Sequence, residues 1–206
     1  MRPRERESLE RLLRELCERG ELGRVVELAL AAYEPELLRL LGSILRDPER
    51  TREAFSDVSE HLLRSLPSFR WESSLRTWVY RLARNIGYRH ATAPARRELP
   101  VSRGAFLHEV QPERSQTNPW LQTLVKERFR LLREQLTRHE QTLLLLRVDQ
   151  QLSWLEVARA LSAPDEDLTA EALSRKAAVL RQQFQRIKVR LRELAQEEEL
   201  LSAPSA

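Results

Sequence analysis

Cysteine is nearly absent from this chain. Cys17 stands alone in 206 residues, which excludes an intramolecular disulfide and a cysteine-built zinc site. Glycine is scarce too, with five in all, and none of them builds a phosphate-cradling loop. The four histidines, His61, His90, His108 and His139, are scattered over different segments with no carboxylate or cysteine constellation around them. No catalytic residue, metal site or cofactor is therefore expected, and the chain does not read as an enzyme. No apolar run approaches the roughly 18 residues that a membrane-spanning helix needs, and the amino terminus lacks a signal-peptide pattern. The expected location is the cytoplasm, without membrane insertion. Lysine is rare as well: Lys126, Lys176 and Lys188 are the only three among 35 basic residues. The arginine that replaces it favours bidentate contacts to phosphates and base edges over plain point charges. Sustained period-two alternation is also missing. Leucine, glutamate, arginine and alanine dominate, all of them helix formers, so the fold is expected to be all-α.

The net charge is only +4, although the sequence pI is about 9.7. The basic excess has to be concentrated to matter. At this length one large domain or two small ones are possible. Residues 1–20 form an amphipathic helix with Leu9, Leu12, Leu13 and Leu16 on one side, closed by Gly20. Residues 24–45 make a second helix around Tyr33, Leu37, Leu38, Leu41 and Leu45, ended by Asp47-Pro48. A third runs from about Glu49 to Leu66, with Phe55, Val58, Leu62 and Leu66 inward, and Pro67 stops it. Residues 91–119 are polar and periodless, broken by Pro94, Pro100, Pro112 and Pro119, and read as a flexible linker. Helices resume at Trp120. The predicted layout is a helical domain over 1–90, a linker over 91–119, and a helix-turn-helix domain over 120–206.

The most informative stretch is Phe69-Arg-Trp-Glu-Ser-Ser-Leu-Arg-Thr-Trp-Val-Tyr-Arg-Leu-Ala-Arg-Asn-Ile-Gly-Tyr-Arg-His90. Ser74 is placed to cap a helix whose apolar stripe is Leu75, Trp78, Val79, Leu82 and Ile86. The opposite face carries Thr77, Arg81, Arg84 and Tyr88, with Tyr80 and Asn85 at its borders. Arginine neutralises phosphates, and aromatic rings give unstacked bases a stacking surface, so this face suits nucleic acid. Taken alone, a basic helix reads more readily as a solvated surface over core tryptophans.

The ungapped string Phe69 to Asn85 closely resembles the promoter-melting segment, regions 2.3 and 2.4, of bacterial sigma factors of the extracytoplasmic-function group. The resemblance extends over about residues 25–195 and implies two partners, core RNA polymerase and promoter DNA, with an anti-sigma factor left open as a third. It implies that Phe69, Arg70, Trp71, Arg81, Arg84, Asn85 and Tyr88 meet the minus-ten element. By the same resemblance Glu53, Asp57, His61 and Arg64 on the third helix face the clamp of the polymerase. Two positions depart from the family, which usually has glutamine where Ser56 stands and phenylalanine where Ser59 stands. Those departures keep open a helix-turn-helix regulator that works without polymerase.

The string Leu136 to Leu161 resembles sigma region 4 up to the first helix of its helix-turn-helix. Thr137 with Glu140, and Ser153 with Glu156, form two capping boxes. The relatives then turn quickly into a recognition helix, whereas here an acidic loop, residues 162–168, precedes a long helix from Thr169 to about Glu199. That loop should point away from DNA, because Asp165, Glu166 and Asp167 repel phosphate. Leu173, Ala177, Leu180, Phe184, Ile187, Leu191 and Leu194 form a heptad seam. Between Arg175 and Arg192 there are seven basic residues and no acidic one. Arg175, Arg181, Gln182, Gln185, Arg186 and Lys188 are the candidates for reading the minus-thirty-five element, since glutamine pairs with adenine and arginine with guanine. The long seam also fits a helical adaptor that has lost DNA binding.

Overall fold

The computed structural model describes residues 3–92 and 130–197, and every element among them is helical. Helix α1 spans Pro3–Glu18 and ends where Gly20 turns at φ +77°, a conformation glycine adopts without strain. Helix α2, Leu22–Leu45, ends on Arg46 in the left-handed region. Asp47 then caps α3, Pro48–Ser65, its carboxylate accepting the N–H groups of Glu49 at 2.9 Å and Arg50 at 3.0 Å. Pro67 lies in a short 3-10 turn, Leu66–Ser68, and a loop leads into α4, Leu75–Thr92.

Helices α2, α3 and α4 pack mutually, with α1 laid along α2. At Gly87 the helices α2 and α4 come close: a Cβ there would sit 3.1 Å from Leu41 and 3.2 Å from Ile44. The buried face of α4 is Leu75, Arg76, Thr77, Val79, Tyr80, Ala83, Ile86 and Gly87. This corrects the stripe read from the sequence. Trp78 and Leu82 are only half-buried, while Thr77, assigned to the outer face, is fully enclosed. Counting apolar residues alone misses that Arg76, Thr77 and Tyr80 find polar partners, so α4 is covered on two sides. Leu12 in α1 likewise points outward, 42% exposed, whereas Leu13 and Leu16 are buried.

Most of the proposed linker, and of the helix expected over 120–136, lies outside the described residues; 130–134 is helical. Helix α5, Arg138–Leu144, starts at the Thr137–Glu140 capping box and continues as a π turn, Leu145–Asp149. Gln151 takes a left-handed φ of 56° and reverses the chain. The Ser153–Glu156 box opens α6, Trp154–Ala160, and after the acidic loop comes α7, Ala170–Glu197. Both boxes form as their spacing predicts. Helix α7 packs back on α6 and on α5, with Leu173, Ala177, Leu180 and Ile187 buried, while Trp154 meets Phe184 edge-on at 5.4 Å.

The two groups of helices touch. Helix α6 lies on α4 and α5 on α2, so the buried apolar residues of both form one contiguous cluster.

Candidate nucleic-acid interface

The loop before α4 gathers three aromatic rings. Phe69 stacks on Trp78 with centroids 4.7 Å apart and planes at 24°, and Trp71 tilts against Phe69 at 5.0 Å. Trp71 sits at φ +57°, a region that a bulky residue occupies only at a cost of roughly 1–3 kcal/mol. Arg14 of α1 stands 5.7 Å over its ring. Phe69 and Trp71 are half-buried and Arg70 is exposed.

Further along α4 the predicted residues engage one another. Arg84 donates to the Asn85 carboxamide oxygen at 3.0 Å and lies 4.7 Å over the Tyr88 ring. Arg81 is set apart from them. It donates to the backbone carbonyls of Ser162, Ala163 and Pro164, in the loop ahead of α7. Burial, together with Arg159 and Arg84 nearby, pulls its guanidinium below its ordinary value, and Glu166 partly opposes them. Phe69, Arg70, Trp78 and Arg81 thus line a groove whose far wall is Arg159 and Leu168 of the second group of helices.

The acidic loop is buried at its start and exposed over residues 164–167. Ser162 is wholly buried, and the loop lies against α4. Its carboxylates turn toward its own helix: Glu166 pairs with Lys176 at 2.6 Å, and Asp167 accepts the Thr169 N–H at 2.9 Å. Lys176 holds the Glu166 carboxyl below its ordinary range. The hydrogen bonds that Arg81 makes to this loop therefore go to main-chain carbonyl oxygens, while the Glu166 carboxylate is paired with Lys176.

Under this surface lies a polar network that the sequence does not announce. Glu36 of α2 and Arg76 of α4 form an ion pair at 2.9 Å with 9% and 7% of their side chains exposed. Tyr80 donates to the same carboxylate at 2.6 Å. The Arg76 guanidinium also reaches the side-chain oxygen of Gln150 at 3.0 Å and its backbone carbonyl at 3.2 Å. Burial alone would push Arg76 down, but Tyr80 and Glu36 outweigh it and the guanidinium ends above its ordinary value. Glu10 of α1 completes the support. Its carboxylate accepts the Leu75 N–H at 2.8 Å, the Arg76 N–H at 2.9 Å and the Tyr33 hydroxyl at 3.0 Å. Ser74 caps the same helix end, accepting the Thr77 N–H at 3.1 Å. Periodicity could not reveal Glu10, Glu36 or Gln150, since each acts across a gap of 40 residues or more. A charged residue at a core register, as Arg76 is, was the one available signal.

On α3 the four residues proposed to face polymerase share a side at spacings of three and four. Glu53 and Arg64 are exposed. Asp57 is held by His90 Nε2 at 2.8 Å, and His61 Nδ1 lies 3.0 Å from the Asp57 carbonyl. Arg64 pairs with Glu60. Ser56 is exposed, and the Ser59 hydroxyl donates to the Phe55 carbonyl at 3.0 Å. On α7, Arg175, Arg181, Gln182, Gln185 and Arg186 are exposed, whereas Lys188 is half-buried with its ammonium 5.6 Å from the Phe184 ring centroid. Among the described residues no group of three His, Cys, Asp or Glu side chains is placed to hold a metal, and no helix is long and apolar enough to cross a membrane.

Residues 29–97, which include α3, α4 and the aromatic loop, match the family model Sigma-70 region 2. The chain is also similar to the RNA polymerase sigma-H factor of Pseudomonas aeruginosa. The two are 26% identical over 163 residues, covering 73% of this chain and 82% of the relative.

Proposed function

The chain belongs to the sigma-70 family of RNA polymerase sigma factors, and we propose that it is a member of the extracytoplasmic-function group that captures melted promoter bases on the loop and helix 69–90. As a sigma factor it directs RNA polymerase in transcription initiation. Its action is binding, without chemistry of its own. The observation that carries the finer reading is the cluster of Phe69, Trp71 and Trp78, with Arg70 and Arg81 lining the same groove, inside the matched segment. Unstacked bases lose about 1–3 kcal/mol each when such a ring is removed, and the arginines hold the adjoining phosphates. Helix α3 serves polymerase through Glu53, Asp57, His61 and Arg64. The protein works in the cytoplasm, where its two partners are.

Trp71→Gly tests this reading and separates folding from function. Glycine relieves the left-handed backbone at 71, so the folded state should be retained. Open-complex formation with core polymerase, followed by permanganate reactivity of a supercoiled template, should fall by about 1–3 kcal/mol, or roughly 5- to 150-fold. Normal melting by this variant would remove Trp71 from the interface.

The α6–loop–α7 unit reads duplex DNA on this proposal, through the exposed side of α7. Gln182→Ala and Arg186→Ala should weaken cognate DNA more than random DNA, by about 1–3 kcal/mol per lost base contact. Arg175→Ala should weaken both about equally, as a phosphate contact does. The check is a pair of binding titrations, one on promoter and one on scrambled duplex. If sequence preference survives both base-reading substitutions, α7 is a packing helix, and the adaptor reading gains. Co-purification with core polymerase, then run-off transcription on genomic templates, decides against a regulator that acts alone.

A further inference from the structure

Helix α1 precedes the matched segment 29–97, yet it reaches the aromatic loop. It is anchored there from two sides. Leu13 and Leu16 are buried in the core, and Glu10 accepts the first two N–H groups of α4. One turn on, four residues along, the same side of α1 carries Arg14. Its guanidinium carbon stands 5.7 Å from the Trp71 ring centroid. Glu10 thus sets the start of α4, and Arg14 overlooks the loop that leads into it.

Nothing in the fold demands an arginine at this place. The Arg14 side chain is 60% exposed and pairs at 3.2 Å with Glu18, itself 66% exposed. Such a pair, one turn apart and open to water, contributes little to stability. A phosphate replaces the carboxylate readily, because it brings a full charge and its own acceptors. In the loop, Arg70 and Glu72 flank Trp71, both exposed, and their charges offset one another. The tryptophan itself keeps a left-handed backbone that is costly for a bulky residue, which marks the position as one held for its ring. A single strand carries one charge every ~3.4 Å of stacked length. A base stacked on Trp71 therefore brings a phosphate within reach of a cation 5.7 Å from the ring.

We propose that α1 contributes Arg14 to the capture site as a phosphate-binding residue: when Trp71 stacks a melted base, the guanidinium leaves Glu18 and pairs with a phosphate of the same single strand. The inference rests on the base-capturing function given above for Trp71. It extends the interface to a helix outside the segment that the family model matches. In the free chain Glu18 holds the place of the phosphate, so the site starts close to neutral and becomes cationic toward DNA only as that pair opens.

The test uses the full-length chain and a fluorescein-labelled pool of random-sequence single-stranded 20-mers, titrated by anisotropy at increasing salt. Arg14→Gln should weaken binding about 8-fold at about 50 mM salt and about 3-fold at about 200 mM, the values that a slope change of ~0.7 gives if the contact fades near ~1 M. Arg14→Lys keeps the charge and should restore both affinity and slope. Glu18→Gln frees Arg14 and should tighten binding at least twofold more than Glu15→Gln, which removes an equal charge beside Arg19. Arg19→Gln, the control for a lost positive charge, should keep the wild-type slope. All four positions are exposed, so the fold should persist. A weaker Arg14→Gln with an unchanged slope overturns the phosphate contact and makes Arg14 a prop for the ring. Unchanged affinity and slope, or a wild type that binds no 20-mer at the lowest salt, overturns it outright. Trp71→Gly, measured alongside, should weaken binding without changing the slope, because stacking releases no counterion. If that variant binds as wild type does, the capture reading at Trp71 fails, while the Arg14 slope still decides the phosphate contact.

Discussion

Glu36→Leu is expected to destabilise the fold by about 3–5 kcal/mol, because it leaves the Arg76 guanidinium buried without its carboxylate. Both side chains are almost wholly enclosed, and Tyr80 would lose its acceptor in the same step. Gln150 remains within reach of Arg76, but a neutral carboxamide does not compensate a full charge taken out of water. Urea denaturation followed by far-ultraviolet circular dichroism measures the cost. The informative companion is the double variant Glu36→Leu with Arg76→Met. Removing both charges removes the uncompensated one, so most of the lost stability should return, and a net gain is physically possible. A single variant as stable as wild type would mean that water reaches Arg76.

A second large effect is expected at Glu10, a residue on an outwardly ordinary charged helix. Its carboxylate satisfies the first two N–H groups of α4 and the Tyr33 hydroxyl together. An anion at a helix amino terminus also sits favourably in the field of the helix dipole. Glu10→Ala removes a cap worth about 1 kcal/mol and leaves a buried phenol unpaired at a further ~1–3 kcal/mol. The expected loss is about 2–4 kcal/mol in the same denaturation assay. Tyr33 offers a local readout, because burial, with Glu10 adding to it, raises its hydroxyl well above the ordinary value. Replacing Glu10 should bring that ionisation back toward normal in an absorbance titration, provided the fold survives. A loss no larger than that of an exposed glutamate would show that α1 merely rests on α2 and does not hold α4.

Both variants bear on function by the same route. Glu10 and Glu36 fix where α4 starts and how it is rotated, and that rotation decides which residues reach the groove with Phe69 and Trp78. Neither residue touches that groove, so a loss of promoter melting that tracks their loss of stability would be a positioning effect.

The sequence by itself determined the elements and their chemistry. Capping boxes at Thr137 and Ser153, the prolines at 48 and 67, and the heptad seam of α7 are local signals, each complete within a few residues of chain. Local free energies of capping, periodicity and backbone restriction do not depend on what lies across the molecule, and so they survive folding unchanged. The aromatic and cationic character of 69–90 is likewise a matter of composition. Tertiary structure decided the rest. It turned Thr77 inward and Trp78 half outward, because α4 is buried on two sides and polar partners from α1, α2 and the Gln150 turn make burial of Arg76 and Thr77 affordable. It also laid the start of the acidic loop against α4, where the carbonyls of residues 162–164 take the donors of Arg81 while Lys176 pairs with Glu166. These outcomes depend on long-range pairs, whose energies come from desolvation and geometry across the fold, and no window along the chain contains both partners.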